Sequence, residues 1–447
     1  MRQRAGLVKR SSFVLGMAAV SLLAACTEKE VILPGKREDI RSILSDGAET
    51  GEVQTAAVTR RLTLPRVHDN ASWTHRIGSP KYRPTHPALA AAPALVWAAD
   101  IGMGDGKRNR ITADPVVDQG RVFTLDAQAL VTATSTAGAT LWRTDLAPER
   151  DQPGDASGGG LAIGAGKLFV SSGFGTLTAI DPASGKVLWQ QKLGETGSGA
   201  PTVYGDLVYL TGGDDTAWAL EVETGRVRWQ LSQAPDINNV LGASAPAVND
   251  KFVVFAYGDG ALHGAFRKGG LRLWSSYVSG QRRFKSIAKV GDITGDPVID
   301  GNTVYVGSHS GRLAALDINT GKRIWTATEG AISPVWPVGG SVFALTDQNE
   351  LVRLDARDGS RIWGTALPNF VKYHPRKASE VYAHYGPILA GGQLVVASND
   401  GLLRFFDPAS GNLTRTVEVP GGATTAPVVA GGTLYVVGTN GQLFAFR

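Results

Sequence analysis

The sequence predicts an all-β chain, an eight-bladed β-propeller of four-stranded antiparallel blades. Three observations carry this expectation. A unit of eleven residues, ending in Trp, recurs at one fixed internal length. A pair of apolar strands precedes each copy, and a lone strand at the start of the domain matches one missing at its end. Regular short strands parted by Gly, Asp and Asn turns are the all-β signal, and a repeat near 40–45 residues is the size of a propeller blade.

The repeats justify the blades in order. The fullest copy is Ala315 to Trp325 (ALDINTGKRIW), and Ala179 to Trp189 and Ala219 to Trp229 repeat it. Thr132 to Trp142, Gly264 to Trp274 and Arg353 to Trp363 keep Gly and Trp at the same offsets. Phe405 to Arg415 keeps Asp407 and Gly411 but has no Trp. Strand pairs begin near Asp114, Leu161, Ala200, Ala245, Asp296, Ser333, Gly386 and Ala426. The last pair reaches Arg447 with no outer strand after it, whereas Ala94–Ala98 is an outer strand with Trp97 in place and no pair before it. That strand is expected to complete the eighth blade and close the ring, at about 44 residues per blade.

Within the unit, the Asp at the third position accepts backbone N–H groups across a turn, and the Gly at the seventh takes the positive φ of a hairpin. The Trp then stands on the outer strand, where its ring can wedge against the next sheet and its N–H can reach a carbonyl. Trp97, Trp142, Trp189, Trp229, Trp274, Trp325 and Trp363 are therefore assigned structural docking roles.

Composition excludes several other classes. The 447 residues are 43% hydrophobic and 19% charged with 56 Gly, too apolar for disorder and too Gly-rich for a helical bundle. A single Cys excludes a disulfide framework. The net charge of +5 comes almost entirely from the first residues: Arg2, Arg4, Lys9 and Arg10 account for four of the 45 Lys and Arg, leaving 41 against 40 Asp and Glu. No nucleic-acid partner is implied.

Residues 11–25 are apolar or small and follow a basic stretch, the layout of a signal peptide and too short to span a membrane, which takes about twenty residues. Leu23-Ala24-Ala25-Cys26 resembles the bacterial lipobox, so Cys26 is the expected site of lipidation. Thr27 follows it rather than Asp, which by resemblance to lipoprotein sorting in enteric bacteria implies the outer membrane, facing the periplasm. The domain expectation is a signal peptide over 1–25, a lipid-anchored tether and extended lead-in over 26–92 with at most one short helix near Arg37–Leu44, and the propeller over 93–447.

The eleven-residue unit resembles the tryptophan-docking motif shared by pyrroloquinoline-quinone (PQQ) dehydrogenases and the BamB family of outer-membrane β-barrel assembly lipoproteins. Lipobox and size point to the BamB family, as do Asn70-Ala71-Ser72-Trp73-Thr74 with Gly78, His86 and Leu89, and the tether Ile32–Arg37. The resemblance implies a non-catalytic scaffold that binds the central barrel-assembly protein, BamA, and assists insertion of unfolded outer-membrane proteins, with no cofactor and no metal. A membrane-attached PQQ dehydrogenase is the alternative. It lacks the adjacent Cys pair of that family, and no acidic cluster sits where its calcium ligands would be.

Aligned on Gly242–Pro246, the family's first partner loop falls at Asn238–Leu241, where Val240 matches an apolar contact and Leu241 replaces an arginine. In the second loop Asp292 matches one contact aspartate and Thr294 replaces another. Arg282, Arg283 and Lys285 just upstream are the candidates to supply the lost positive charge, with a solvated loop as the competing reading. The seven His are scattered without a HExxH pair, so no metal site is expected. Gly102–Lys107 fails the phosphate-loop spacing, Gly212–Asp215 reads as a hairpin turn, and the basic–aromatic Lys372–Lys377 is the remaining surface candidate, with a solvated inter-blade loop as the favoured reading.

Overall fold

The computed structural model describes residues 60–81, 83, 86–152, 154–194, 199–233, 243–278, 293, 295–372 and 380–447. These residues form eight four-stranded antiparallel sheets. Numbered as blades in chain order, they cover 116–145, 159–192, 202–232, 247–277, 295–327, 336–366 and 384–418, with blade 8 made of 428–446 and the strand Leu95–Asp100. The ring closes as the sequence predicts. Leu95–Asp100 pairs with Gln442–Phe446, and Ala94 and Arg447 exchange both backbone hydrogen bonds.

Strand composition follows from position in the blade. The middle strands, such as Lys167–Ser172 and Thr176–Ile180, are buried nearly throughout because neighbouring sheets cover both their faces. The outermost strands alternate exposed and part-covered residues, as in Val187–Lys192. Each blade also carries a register shift at one place, between the third strand and the outer one. It follows Ala133, Ala179, Ala219, Gly264, Ala315, Arg353 and Phe405, and in blade 8 it lies between Leu95 and Trp97. A bulge there increases local twist and turns the outer strand toward the next blade.

The tryptophans then join the blades. Trp97 Nε1 donates to Thr136 O at 3.2 Å, Trp142 to Pro182 O at 3.1 Å, Trp189 to Val222 O at 3.0 Å and Trp229 to Arg267 O at 3.1 Å. Trp274 reaches Ile318 O at 2.8 Å, Trp325 Ala356 O at 2.9 Å and Trp363 Pro408 O at 3.3 Å. Every acceptor belongs to the third-to-fourth-strand turn of the following blade. The Gly of that turn has a second reason to be Gly besides its positive φ. At Gly321 (φ +67) a Cβ would lie 2.6 Å from the Trp274 ring, and at Gly185 (φ +75) 2.7 Å from the Trp142 ring. Trp274 and Trp325 are buried, and the other five are half-buried.

Six of these rings pack on an aromatic residue of their own blade's second strand, for example Trp325 on Tyr305 with centroids 5.9 Å apart. Trp274 lies instead over Gly264, where a Cβ would come within 2.1 Å of the indole. The missing eighth Trp also has a structural reason. Arg415 stands at the Trp position of blade 7, but in blade 8 the third and outer strands come from distant parts of the chain, so no turn exists to receive an indole.

Candidate functional site

The segment 60–92, which shows no periodicity, caps one end of the central channel and touches all eight blades. Trp73 exchanges two backbone bonds of 2.8 Å with Val117 of blade 1, and Thr74 O accepts from Ile163 N of blade 2 at 2.8 Å. His75 Nε2 accepts from Val203 N of blade 3 at 3.0 Å, and Lys81 Nζ donates to Asp250 of blade 4 at 2.7 Å. Arg76 Nε lies 2.9 Å from Asp296 Oδ2 of blade 5. Trp73 packs on Trp336 of blade 6 at 6.3 Å, with the Arg83 guanidinium 4.3 Å from the Trp336 ring. His86 Nε2 accepts from Gly392 N of blade 7 at 2.8 Å, and Asn70 O accepts from Gly431 N of blade 8 at 2.8 Å.

Burial sets the electrostatics of this cap. It holds His75 neutral, driving its pKa down to about 3. With Nε2 an acceptor, the ring proton sits on Nδ1 and is donated to Thr74 Oγ1 at 2.8 Å. Burial likewise lowers Arg83 to about 9, with Asp114 and Asp296 pulling the other way.

From the opposite face a funnel of about 500 Å³ descends to Arg76. Its wall is made by the residues entering the first strands, among them Asp114, Ala200, Ala243 and Ala426, together with Asp105, Tyr385 and Asn399. Burial raises the Asp114 carboxyl above the usual range, while Arg76 and the Ala426 N–H oppose the shift, and it pushes Tyr385 up to about 12. Each funnel carboxylate is already engaged by the chain. Asp105 accepts from Ile111 N at 2.8 Å, Thr424 Oγ1 at 2.9 Å and Arg110 Nη1 at 3.3 Å. Asp114 and Asp296 face Arg76 at 3.5 and 2.9 Å. Among the described residues no group of three or more His, Cys, Asp or Glu is placed to hold a metal ion. This donor set does not fit a calcium-bound quinone.

The two predicted partner loops connect blade 3 to blade 4 and blade 4 to blade 5. Val240, Leu241, Arg282, Arg283, Lys285, Asp292 and Thr294 lie outside the described residues, as do Cys26, the expected helix near Arg37–Leu44 and most of Lys372–Lys377. The ends of both loops are described and meet at one side chain. Asp296 Oδ1 accepts from Ser244 Oγ at 3.1 Å and from Ala245 N at 2.9 Å. Sequence reasoning assigned no role to Arg76, Asp114 or Asp296. The available signal was Asp-Pro at 114–115 and 296–297, where blades 3, 4 and 8 have Ala-Pro.

Comparison with known proteins adds a family. A family model described as outer membrane protein assembly factor BamB matches residues 127–365 and 375–447. A protein of Shewanella oneidensis named outer membrane protein assembly factor BamB is 27% identical over 362 residues, covering 78% of this chain and 88% of the relative. The crystal structure of BamB from Moraxella catarrhalis superposes with a TM-score of 0.66 at 18% identity, covering 80% of this chain and 100% of that one. A quinohemoprotein alcohol dehydrogenase of Comamonas testosteroni gives 0.62 at 15%, covering 84% and 80%. At such identities these two structures speak for the fold alone.

Proposed function

We propose, for a chain that belongs to the family of outer membrane protein assembly factor BamB, the role of a non-catalytic scaffold in the assembly of outer-membrane proteins. In this reading the protein is anchored through lipid on Cys26 after loss of residues 1–25, with 26–92 as tether and lead-in and the ring on the periplasmic face of the outer membrane. It docks on a BamA-like barrel-assembly protein through the loops that hold Val240, Leu241, Asp292, Arg282 and Arg283, and it helps deliver unfolded outer-membrane proteins. The observation that carries the reading is the family match across most of the propeller. The rim supports it, since seven indole docks make a rigid disc whose loops can be presented at fixed spacing.

Affinity capture from detergent-solubilised envelope is the test. A large barrel protein with periplasmic repeat domains is expected to co-purify, and reversal of charge at Arg282 and Arg283 is expected to weaken its capture. Cys26→Ser is expected to release the protein from the membrane fraction. Failure of the wild-type chain to retain any barrel protein would sink the reading. Reduction of a redox dye after addition of PQQ and calcium would replace it with the dehydrogenase alternative.

A further inference from the structure

We infer that Arg76 is a positioning residue: an axial crossbar that ties opposite sides of the ring together and sets the ends of the two partner loops. Blades 1 and 5 are four apart in a ring of eight, and so face each other across the channel. Each carries Asp-Pro at the entry to its first strand, Asp114-Pro115 and Asp296-Pro297. At the same place blades 3, 4 and 8 carry Ala200, Ala245 and Ala426, and blade 7 carries Gly386. The two Asp make the same bond to the preceding blade: Asp114 Oδ1 accepts from Ala426 N at 2.8 Å, and Asp296 Oδ1 from Ala245 N at 2.9 Å. Their other oxygens converge on one atom, Arg76 Nε, at 3.5 and 2.9 Å.

Both carboxylates are almost wholly buried, and Arg76 is the cation that both of them touch. Removing Arg76 leaves two buried like charges facing one another with only the more distant Arg83 to offset them. Relief requires protonation or movement of the carboxylates, and either disturbs the backbone bonds that they accept. One of those bonds lies at the seam between blades 8 and 1. The other, with the Ser244 hydroxyl, joins the end of the loop 234–242 to the residue just beyond the loop 279–294. Arg76 itself precedes the span that the family model matches, so the crossbar is supplied by the lead-in.

This inference rests on the assembly reading for its consequence but not for its geometry, and hydrogen exchange on the full-length lipoprotein in detergent separates the two. In Arg76→Met the amides of Ala245 and Ala426 are expected to exchange about tenfold faster or more, together, while the Gly185 turn amide in blade 2 does not change. Arg76→Lys keeps a cation between the carboxylates and is expected to protect both. Capture of the barrel protein is expected to fall about tenfold with Met and to persist with Lys. Unchanged exchange at both amides, or a change at only one, overturns the crossbar. Freed amides with undiminished capture overturn its role toward the loops. Should Arg76→Met not fold, Arg76→Gln is read at the same two amides. A wild-type chain that captures nothing counts against the assembly reading, and the amides still decide the crossbar.

Discussion

At the rim, Trp142, Trp189 and Trp325 do one job in three blades, each donating to a carbonyl of the next blade over a turn Gly. At the hub, Trp73, His75 and Arg76 follow one another along the cap and meet different sets of blades by different kinds of contact: Trp73 blades 1 and 6, His75 blade 3, Arg76 blades 1 and 5. The rim is redundant, because seven similar clasps share the load. The hub is not. Its buried groups are also polar, so each depends on one specific partner, whereas an indole wedge depends mainly on shape. The lesson is that a repeated architecture can hold its least replaceable contacts in the segment that does not repeat.

The sharpest test compares two tryptophans. Trp73 is 1% exposed and packed against Trp336, whereas Trp142 is half-buried. Trp73→Ala is expected to cost near the top of the range of about 3–5 kcal/mol for such truncations and Trp142→Ala near or below its bottom, measured by denaturant unfolding. Equal costs would erase the contrast between hub and rim.

Next in size is the hub's share of the pH dependence, which adds to that of His263, His309 and His384 in the blades, whose pKa values burial also lowers. His75 has a folded pKa of about 3, well below its ordinary 6.5, because burial excludes the charged form. Between these values the unfolded chain binds the extra proton, so stability is complete above pH 6.5 and is lost as pH falls toward 3. The loss is on the order of a few kcal/mol. His75→Gln keeps an acceptor for Val203 and should make melting temperature fall less steeply with acid over that window. An unchanged slope would assign the acid sensitivity elsewhere.

A third comparison stays at the rim. Gly321→Ala meets both a positive φ and the Trp274 ring, whereas Gly301→Ala (φ +57) has nothing within 4 Å of the new Cβ. Thermal melts should show Gly321→Ala to be the more damaging by about 1–3 kcal/mol. The smallest effect is expected from Arg415→Trp. With no turn in blade 8 to receive the ring, the change should stay within about 0.5 kcal/mol. Clear stabilisation would mean that an indole there finds a dock that blade 8 does not present.

Much of the rim was legible in the sequence because it repeats. Period, Gly and Trp offsets, strand pairs and the closing strand Leu95–Asp100 all follow from comparing the chain with itself. The turn Gly illustrates where that reading stops short. Its positive φ can be inferred locally, but the indole above it comes from the preceding blade. The partner loops could be placed only by resemblance, and Val240, Leu241, Arg282, Arg283 and Asp292 lie outside the described residues.

By itself, then, the sequence determined the fold class, the number of blades and the seam, because periodic burial leaves a periodic trace in one dimension. Tertiary structure alone decided that 60–92 caps the channel, that Asp114 and Asp296 share Arg76, and that Arg415 needs no Trp. Those contacts join residues from tens to hundreds of positions apart on the axis of a ring. Each occurs once, so no internal comparison could reveal them, and the energy of a buried charge depends on neighbours that only closure brings within reach.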